Sequence, residues 1–200
     1  TVELCLTHNV AVGAHPSWND RENFGRKEMQ VSTTELYDMM IQQLTILQQI
    51  ANDYSAKLHH IKPHGALYNQ SAKDKMIAAT IAKAVKDFNP SLILYGLSGS
   101  ISITTAKAIG LQTASEVFAD RTYNDDGSLT SRLLPNAMLA DDEKAIAQAL
   151  QMAQKKTVTS TSGKLIPVVA DTICIHGDGA NAVGFANSIS KVFKQSNIVI

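Results

Sequence analysis

Segments with the hydrophobic pattern of β-strands alternate along this chain with segments that have the pattern of α-helices. Five segments have the composition and boundaries of short β-strands, and they cover residues 10–14, 59–64, 91–95, 113–118 and 171–176. Between these segments, apolar residues recur every three or four positions, as they do on the buried face of a helix. The alternation predicts an α/β fold with a parallel sheet and helices packed outside it.

The helices are predicted from their first residues and their apolar stripes. Ser32 and Glu35 have the spacing of a capping box. The stripe that follows consists of Leu36, Met40, Leu44, Leu47 and Ala51. Ser71 is predicted to cap a second helix, which Pro90 stops. The remaining predictions are a short helix after residue 100, helices over 141–153 and 180–193, and a hairpin over 158–168.

Composition narrows the class of protein. The chain has 200 residues, 44% of them hydrophobic, which suffices for one domain over residues 1–200. Basic and acidic residues balance at 18 each, without blocks of like charge, which argues against a nucleic-acid or membrane partner. The apolar runs are far shorter than the ~20 residues that span a bilayer. The two cysteines, Cys5 and Cys174, form no CxxC pair, which suits a reducing cytoplasm. We therefore expect a cytoplasmic protein that acts on a small neutral or anionic molecule, and a homo-oligomer stays open.

Polar clusters follow the predicted strands. They occupy residues 13–16, 62–65, 115–121 and 176–178. The carboxyl ends of parallel strands meet at one edge of a sheet, where the active sites of α/β proteins lie. Since side chains two apart on a strand point the same way, Lys62 shares a face with His64. The clusters are therefore predicted to line one pocket.

The residue types in these clusters suit acid–base chemistry. Imidazoles and carboxylates move protons near neutral pH, and cationic side chains neutralise an oxyanion or a substrate anion. A single histidine at a strand end is more often structural, but four coincident clusters favour a site. The candidate catalytic residues are His15, His64, Glu116, His176 and Asp178. The candidate substrate-binding residues are Lys62, Asp120, Arg121, Asp20 and Arg21, of which Asp20 and Arg21 could equally pair with each other.

Several of these segments resemble the signature blocks of the LamB/YcsF family. The blocks are residues 12–21 (VGAHPSWNDR), 24–26 (FGR), 62–69 (KPHGALYN), 116–121 (EVFADR) with Tyr123, and 175–178 (IHGD). They occur in the family's order and together cover essentially the whole chain. The resemblance implies a distorted (β/α) barrel of the glycoside hydrolase/deacetylase type. Family members begin with an acidic strand and a Gly-Phe-His-Ala-Gly-Asp block that this sequence lacks, so we expect a barrel without its N-terminal strands.

The resemblance also implies an activity. Family members belong to a prokaryotic three-subunit enzyme that opens the lactam of 5-oxoproline to L-glutamate with ATP and Mg²⁺, which makes subunits B and C the expected partners. In that reaction His64 or His15 would act as base or acid, and Glu116 or Asp178 would be the complementary carboxylate. Lys62 or Arg121 would bind the substrate carboxylate or a phosphate. The chain has neither a P-loop nor a GxGxxG motif, so ATP is expected to bind with the partner subunits.

Two other functions stay open at this point. One is a metal-dependent hydrolase of the deacetylase type, in which His15, His64 and an aspartate hold a divalent ion that activates water. The other is a non-catalytic subunit that binds 5-oxoproline and presents it to its partners.

Overall fold

The structure, a computed structural model, describes residues 1–139, 141–177 and 182–198. Its contacts divide the chain into two compact units, Thr1–Ala114 and Ser115–Ile200. Within the described ranges, no helix combines the length and the apolar character that crossing a membrane requires.

Unit 1 alternates helices and strands as the sequence predicts. Its elements are α1 (Val2–Thr7), β1 (Val12–Ala14), α2 (Thr33–Asp53), β2 (Leu58–Ile61), α3 (Gly65–Lys73), α4 (Lys75–Phe88), β3 (Ile93–Leu97), α5 (Ile101–Ala108) and β4 (Thr113–Phe118), the last crossing into unit 2. β1 pairs with β2 in parallel, with Gly13 opposite His60, and β2 pairs with β3, with His60 opposite Ile93.

The core of unit 1 lies between the sheet and its helices. The capping box predicted at the start of α2 is present, with Ser32 and Glu35 each bonding the other's backbone. Met40 and Leu44 on α2, Ile61 on β2 and Leu94 on β3 are fully buried in one apolar cluster. Burying an aliphatic side chain of this size stabilises the fold by about 1.5–3 kcal/mol.

One predicted helix start is wrong. Ser71 lies inside α3, where it is buried and its hydroxyl donates to the carbonyl of Tyr68 at 2.8 Å. Asp74 caps α4 instead, because its carboxylate accepts from the backbone amides of Met76 and Ile77. A carboxylate three residues beyond the predicted cap thus satisfies the free amides at the helix start.

Unit 2 contains the rest of β4 and six further elements. They are α6 (Asp142–Leu150), a π-helix (Gln151–Lys155), β5 (Thr157–Thr159), β6 (Leu165–Pro167), β7 (Thr172–Cys174) and α7 (Ala182–Gln195). Residues 180 and 181, where the last helix was predicted to begin, lie outside the described residues. β5 and β6 form the predicted antiparallel hairpin. Ala149, Phe185 and Ile189 are buried together between α6 and α7.

The main sheet has the strand order β1-β2-β3-β4-β7. β7 pairs with β4 in parallel, with Glu116 opposite Thr172 and Phe118 opposite Cys174. The loops that follow β1 and β2 in unit 1, and those that follow β4 and β7 in unit 2, carry most of the candidate residues.

Candidate functional site

In unit 1, the parallel pairing of β1 and β2 continues past the ends of both strands. The amide of Lys62 donates to the carbonyl of Ala14 at 2.9 Å, and the amide of His64 donates to the carbonyl of Pro16 at 2.8 Å. The two signature loops therefore leave the sheet side by side. Their pairing brings His15 against Lys62 and His64.

His15 and His64 form a continuous chain of polar contacts. Nδ1 of His15 lies 2.6 Å from the carbonyl oxygen of Lys62, and Nε2 of His15 lies 2.9 Å from Nδ1 of His64. Nε2 of His64 lies 2.8 Å from the carbonyl oxygen of Phe24. The rings meet edge to face, with centroids 4.8 Å apart. All four ring nitrogens are engaged in this chain.

Counting protons defines the state of this pair. A carbonyl oxygen only accepts, so Nδ1 of His15 and Nε2 of His64 must both carry hydrogen. Two neutral rings would then face each other with lone pairs only, and the central contact would not be a hydrogen bond. Three hydrogen bonds need three protons, so this geometry describes an imidazole–imidazolium pair with one positive charge.

The third proton belongs on His64. Burial first, and then the charges of His64, Lys62 and His60, lower the pKa of His15 to about 4, although a hydrogen bond to the Lys62 carbonyl opposes this shift. His15 keeps part of its surface in solvent, but the protein atoms around the ring disfavour its charged form. His15 is therefore the neutral member, accepting at Nε2 from His64.

This arrangement does not fit a metal ion as it stands. A divalent ion needs a lone pair from each imidazole, and the contacts of His15 and His64 leave neither ring with a free one. Nor does any described part of the chain group three or more His, Cys, Asp or Glu side chains for metal binding. As they lie here, the two histidines do not fit a divalent ion, and their role as metal ligands stays a prediction.

Two glutamines hold the loop between β1 and α2 over this pair. Gln43 of α2 bonds both the amide and the carbonyl of Ser17, at 3.0 and 2.8 Å. Gln70 of α3 accepts from the indole of Trp18 at 2.6 Å and donates to the carbonyl of Met29 at 2.9 Å. Trp18 is buried by this contact. The loop is therefore fixed at both ends by helix side chains, which positions the Phe24 carbonyl for His64.

The amino end of α3 is already covered by the same loop. The amide of Ala66 donates to the carbonyl of Gly25 at 2.9 Å. Gly65 has φ +54°, and a Cβ there would lie 2.6 Å from that carbonyl oxygen. A helix start of this kind can bind an anion, but here backbone of the loop occupies the position that an anion would take.

His60 and Tyr95 form an aromatic surface that sequence reasoning left unassigned. Their rings stack with centroids 4.2 Å apart and planes 14° apart. The imidazole lies directly over Gly13, where a Cβ would approach the ring to 2.1 Å. Burial, then the charges of His59 and Lys62, lower the pKa of His60 to about 4. The sequence signal that could have indicated this contact is a glycine, Gly13, opposite a histidine, His60, on the neighbouring strand.

Asp20 and Arg21 lie on the loop after β1. Asp20 accepts from the backbone and side-chain amides of Asn23 at 3.3 and 2.7 Å through one carboxylate oxygen. Its other oxygen is buried and has no hydrogen-bond partner among the described residues. Arg21 is exposed. Their roles in substrate binding stay predictions.

In unit 2, the register of β4 and β7 brings Asp120 and His176 together. Phe118 is opposite Cys174, and the same register two residues on pairs position 120 with position 176. Nδ1 of His176 lies 2.7 Å from a carboxylate oxygen of Asp120, and both side chains are largely buried. The second oxygen of Asp120 is buried without a hydrogen-bond partner among the described residues.

Arg132 completes this group and was not among the sequence-predicted residues. Its Nη2 lies 2.9 Å from Nε2 of His176. A guanidinium only donates, so Nε2 of His176 must be the acceptor, and the ring's single proton is on Nδ1. His176 is therefore a neutral imidazole that donates to Asp120. Arg132 lies in the irregular segment 131–136 (SRLLPN), which has no periodic pattern that could have singled it out.

The guanidinium of Arg121 binds the backbone of the segment that follows it. Its guanidinium is 3% exposed and donates to the carbonyls of Ala137 at 3.2 Å and Thr130 at 2.5 Å. Burial and then the charge of Arg132 lower its pKa to about 10. Gln148 of α6 donates to the carbonyls of Phe118, Ala119 and Arg121, which fixes the turn after β4. Substrate binding by Arg121 stays a prediction.

Glu116 and Asp178 are the other two catalytic candidates. Glu116 lies within β4 rather than in the loop after it, and it is 2% exposed. Asp178 lies outside the described residues. The structure thus joins His15, Lys62 and His64 in one unit, and Asp120 and His176 in the other. That all of them line one pocket stays a prediction.

Comparison with known proteins supplies the family. The sequence profile of the LamB/YcsF family matches residues 1–200. A Tolumonas auensis protein, named as the A subunit of 5-oxoprolinase, is 51% identical over 200 residues, which are 100% of this chain and 80% of that protein. A Staphylococcus aureus protein of the same name is 48% identical over the same shares of both chains.

A solved structure supplies the fold. The crystal structure of a lactam utilization protein from Thermus thermophilus matches 100% of this chain and 79% of its own, with a TM-score of 0.91 and 37% identity. The predicted fold class is confirmed by this match. With the family profile covering every residue and relatives near half identity, this chain belongs to the LamB/YcsF family.

Proposed function

We propose that this chain is one component of an ATP-dependent 5-oxoprolinase, which hydrolyses the lactam of 5-oxoproline to L-glutamate. The names of its relatives support a role in 5-oxoproline or lactam metabolism. The observation that carries the proposal is the Asp120–His176 pair, in which a neutral imidazole is oriented by a buried carboxylate. Such a pair is a general base for hydrolysis.

The chemistry requires activation of the ring. A lactam carbonyl is a poor electrophile, so transfer of the γ-phosphoryl group of ATP to the lactam oxygen would make its carbon susceptible to water. Water then adds while a base takes its proton, and the ring nitrogen leaves after it gains a proton. The resulting acyl phosphate and a second water give L-glutamate and inorganic phosphate, and ADP is the other product.

His176 is suited to take the proton from water. With its own proton on Nδ1, its lone pair is on Nε2, and Asp120 stabilises the imidazolium that forms. The carboxylate also fixes the ring orientation, as it does in other carboxylate–histidine pairs. Asp120 thus acts on the substrate only through His176.

His15 and His64 are proposed as the second protonic group. The pair holds one proton more than two neutral imidazoles, and His64 carries it. Protonation of the leaving ring nitrogen needs such a donor. Lys62, whose carbonyl holds His15, keeps its predicted role toward the substrate carboxylate or a phosphate.

We propose that ATP and Mg²⁺ bind to an assembly of subunits rather than to this chain alone. The names of the relatives designate one lettered component of an enzyme, which implies that further components exist. We therefore propose subunits B and C as partners that bring the nucleotide. A cytoplasmic location and a possible self-association belong to the same proposal.

The test is ATP-dependent glutamate release from 5-oxoproline by the complete protein, with and without subunits B and C. We expect release only with ATP and all subunits, and a fall in kcat of about 10²–10⁴-fold in His176→Ala, as for loss of a general base. His64→Ala should also lower kcat. His8→Ala, which changes an exposed histidine at the end of α1, is the matched control and should leave the rate unchanged.

Other outcomes would point elsewhere. Full activity in a complex with both His64→Ala and His176→Ala would remove these roles. ATP-independent hydrolysis that a chelator abolishes would favour a metal-dependent hydrolase. Tight 5-oxoproline binding with turnover unaffected by either substitution would favour a non-catalytic binding protein within the complex.

A further inference from the structure

The carboxylate of Asp120 depends on its own backbone for its position. One carboxylate oxygen accepts from Nδ1 of His176 at 2.7 Å, and the other is buried without a hydrogen-bond partner in the described part of the chain. Hydrogen bonds therefore hold this side chain only through the ring that it orients. Whatever fixes the backbone of the turn after β4 also fixes the direction of His176.

Gln148 of α6 bonds that backbone on both sides of Asp120. Its Nε2 donates to the carbonyls of Phe118 at 3.0 Å, Ala119 at 3.1 Å and Arg121 at 2.8 Å. Carbonyl oxygens only accept, so the group that lies among them must be the NH2 of the amide. Its two hydrogens serve three acceptors, which means that one hydrogen is shared in a three-centre bond.

The helix that carries Gln148 is packed against the same turn. Ala145 and Ala149 of α6 are buried in one apolar cluster with Ala119 of the turn and with side chains of α7. Ala149 is the next residue after Gln148. Because a close-packed interior leaves little room for shifts, the buried face of α6 fixes where the amide of Gln148 lies.

The turn also supplies a second contact to His176. The ring of Phe118 stacks on the imidazole, with centroids 5.9 Å apart and planes 28° apart. The carbonyl of Phe118 is one of the three that Gln148 bonds. The carboxylate and the ring that contact His176 are thus both carried by backbone that Gln148 holds.

We propose that Gln148 is a positioning residue, which holds the turn after β4 so that Asp120 keeps the imidazole of His176 in its reactive orientation. This inference rests on the proposed function, in which His176 takes a proton from water. Gln148 contacts neither water nor substrate in that reaction and acts through Asp120. Loss of its amide should therefore slow the chemical step without weakening substrate binding.

The first test is Gln148→Met in the complete enzyme with its partner subunits. Methionine has a similar length and helix propensity but donates no hydrogen bond. We expect kcat for glutamate release to fall about 10–100-fold, because a small misplacement of a catalytic group costs up to about 10²-fold. KM for 5-oxoproline should be unchanged.

Gln151→Met is the matched control. Gln151 begins the π-helix that follows α6, and its side chain bonds the hydroxyls of Thr157 and Thr159 instead of the turn. The same substitution there removes side-chain hydrogen bonds in the same unit. It should leave both kcat and KM at their wild-type values.

Gln148→Lys tests the role of the donor. An ammonium group has three hydrogens for the three carbonyls, so we expect kcat to be closer to that of wild type than to that of His176→Ala. This variant also decides the question if Gln148→Met does not fold. A kcat as low as that of His176→Ala would contradict the inference.

A double variant tests whether Gln148 acts through Asp120. Asp120→Ala should itself lower kcat, and adding Gln148→Met should then cost little more, because the carboxylate that the amide positions is already absent. The same fold loss from Gln148→Met with and without Asp120 would overturn the inference. The turn would then matter to the reaction in another way.

Proton NMR provides a measurement that does not depend on turnover. In the complete protein without ATP or 5-oxoproline, the hydrogen on Nδ1 of His176 should give a far-downfield signal, as an imidazole N–H bonded to a carboxylate does. We expect this signal to move upfield in Gln148→Met and to keep its position in Gln151→Met.

These measurements distinguish failure of the inference from failure of the proposed function. Unchanged kcat and an unchanged Nδ1 signal in Gln148→Met would overturn the inference and leave the proposed function standing. A higher KM with unchanged kcat would overturn it too, since substrate binding would then depend on the amide. If the wild-type complex releases no glutamate, the proposed function fails, and the Nδ1 signal still decides whether Gln148 orients His176.

Discussion

The buried imidazole of His60 makes the free energy of unfolding depend on pH. Burial lowers its pKa from 6.5 to about 4 in the folded protein. Between these values the unfolded chain binds a proton that the folded chain does not, so the free energy of unfolding falls as pH drops from about 6.5 to about 4. His60→Phe keeps a ring over Gly13 and against Tyr95 but cannot titrate. We expect this variant to show a shallower dependence on pH in that window.

Urea unfolding at several pH values between 4 and 7 measures the dependence. His8→Phe, which changes an exposed histidine, is the control. Parallel stability curves for wild type and His60→Phe would contradict the assignment. His15 contributes in the same direction, because burial also lowers its pKa to about 4. Some slope therefore remains in His60→Phe.

The imidazole–imidazolium pair is open to direct observation. Nitrogen NMR of the complete protein should show His15 as the Nδ1-protonated neutral ring, bonded through its Nε2 to a proton on Nδ1 of His64. The reason is that two carbonyl oxygens fix the outer protons and a third proton is needed between the rings. In His15→Ala, His64 should lose its bond at Nδ1 and change its signals. Two neutral rings in the wild type would contradict the proton count.

At the scale of elements, the approach of β1 to β2 depends on Gly13. A Cβ at this position would lie 2.1 Å from the ring of His60 on the neighbouring strand. Gly13→Ala must therefore move the imidazole, and we expect a loss of about 1–3 kcal/mol in the free energy of unfolding, as for other overpacked positions. Gly177→Ala, where a Cβ would meet no described residue within 4 Å, is the control.

A double variant separates the clash from other effects of the methyl group. Gly13→Ala combined with His60→Ala removes the ring that the Cβ would strike. We expect the combination to cost less than the sum of the two single changes, because the residues are in contact. Additive costs in chemical denaturation would show that the glycine is needed for another reason.

The periodic elements could be predicted from sequence because each carries its own signal. The stripe and capping box of α2 are local, and so is the alternation that gave β4 its bounds at residues 113 and 118. The cap of α4 was misplaced because Ser71 and Asp74 both suit a helix start, and only the packing of α3 decides between them. Where two residues both suit a helix start, tertiary contacts determine which of them becomes the cap.

The site could be predicted only in part for a similar reason. His15 and His64 follow adjacent parallel strands, and Asp120 and His176 share a register, so strand logic brings each pair together. Arg132 is 44 residues before His176 and lies in an irregular segment. Its position is set by how that segment folds back toward β4, which no short-range pattern records.

Across the whole molecule, the distribution of burial predicts where the chain opens most readily. Helices α2 and α4 carry the fully buried Met40, Leu44 and Ile81. Residues 131–136, in contrast, are all exposed. Local opening is easiest where few buried contacts are lost. We therefore expect hydrogen exchange to be slowest in α2 and α4 and fast in 131–136.

The turn at 161–164 tests the argument independently, because its residues are as exposed as those of 131–136. We expect both segments to exchange fast if burial sets the rate of opening. Slow exchange in 131–136 beside fast exchange in 161–164 would contradict this expectation, and would show that contacts such as that of Arg132 with His176 stabilise the segment more than its exposure indicates.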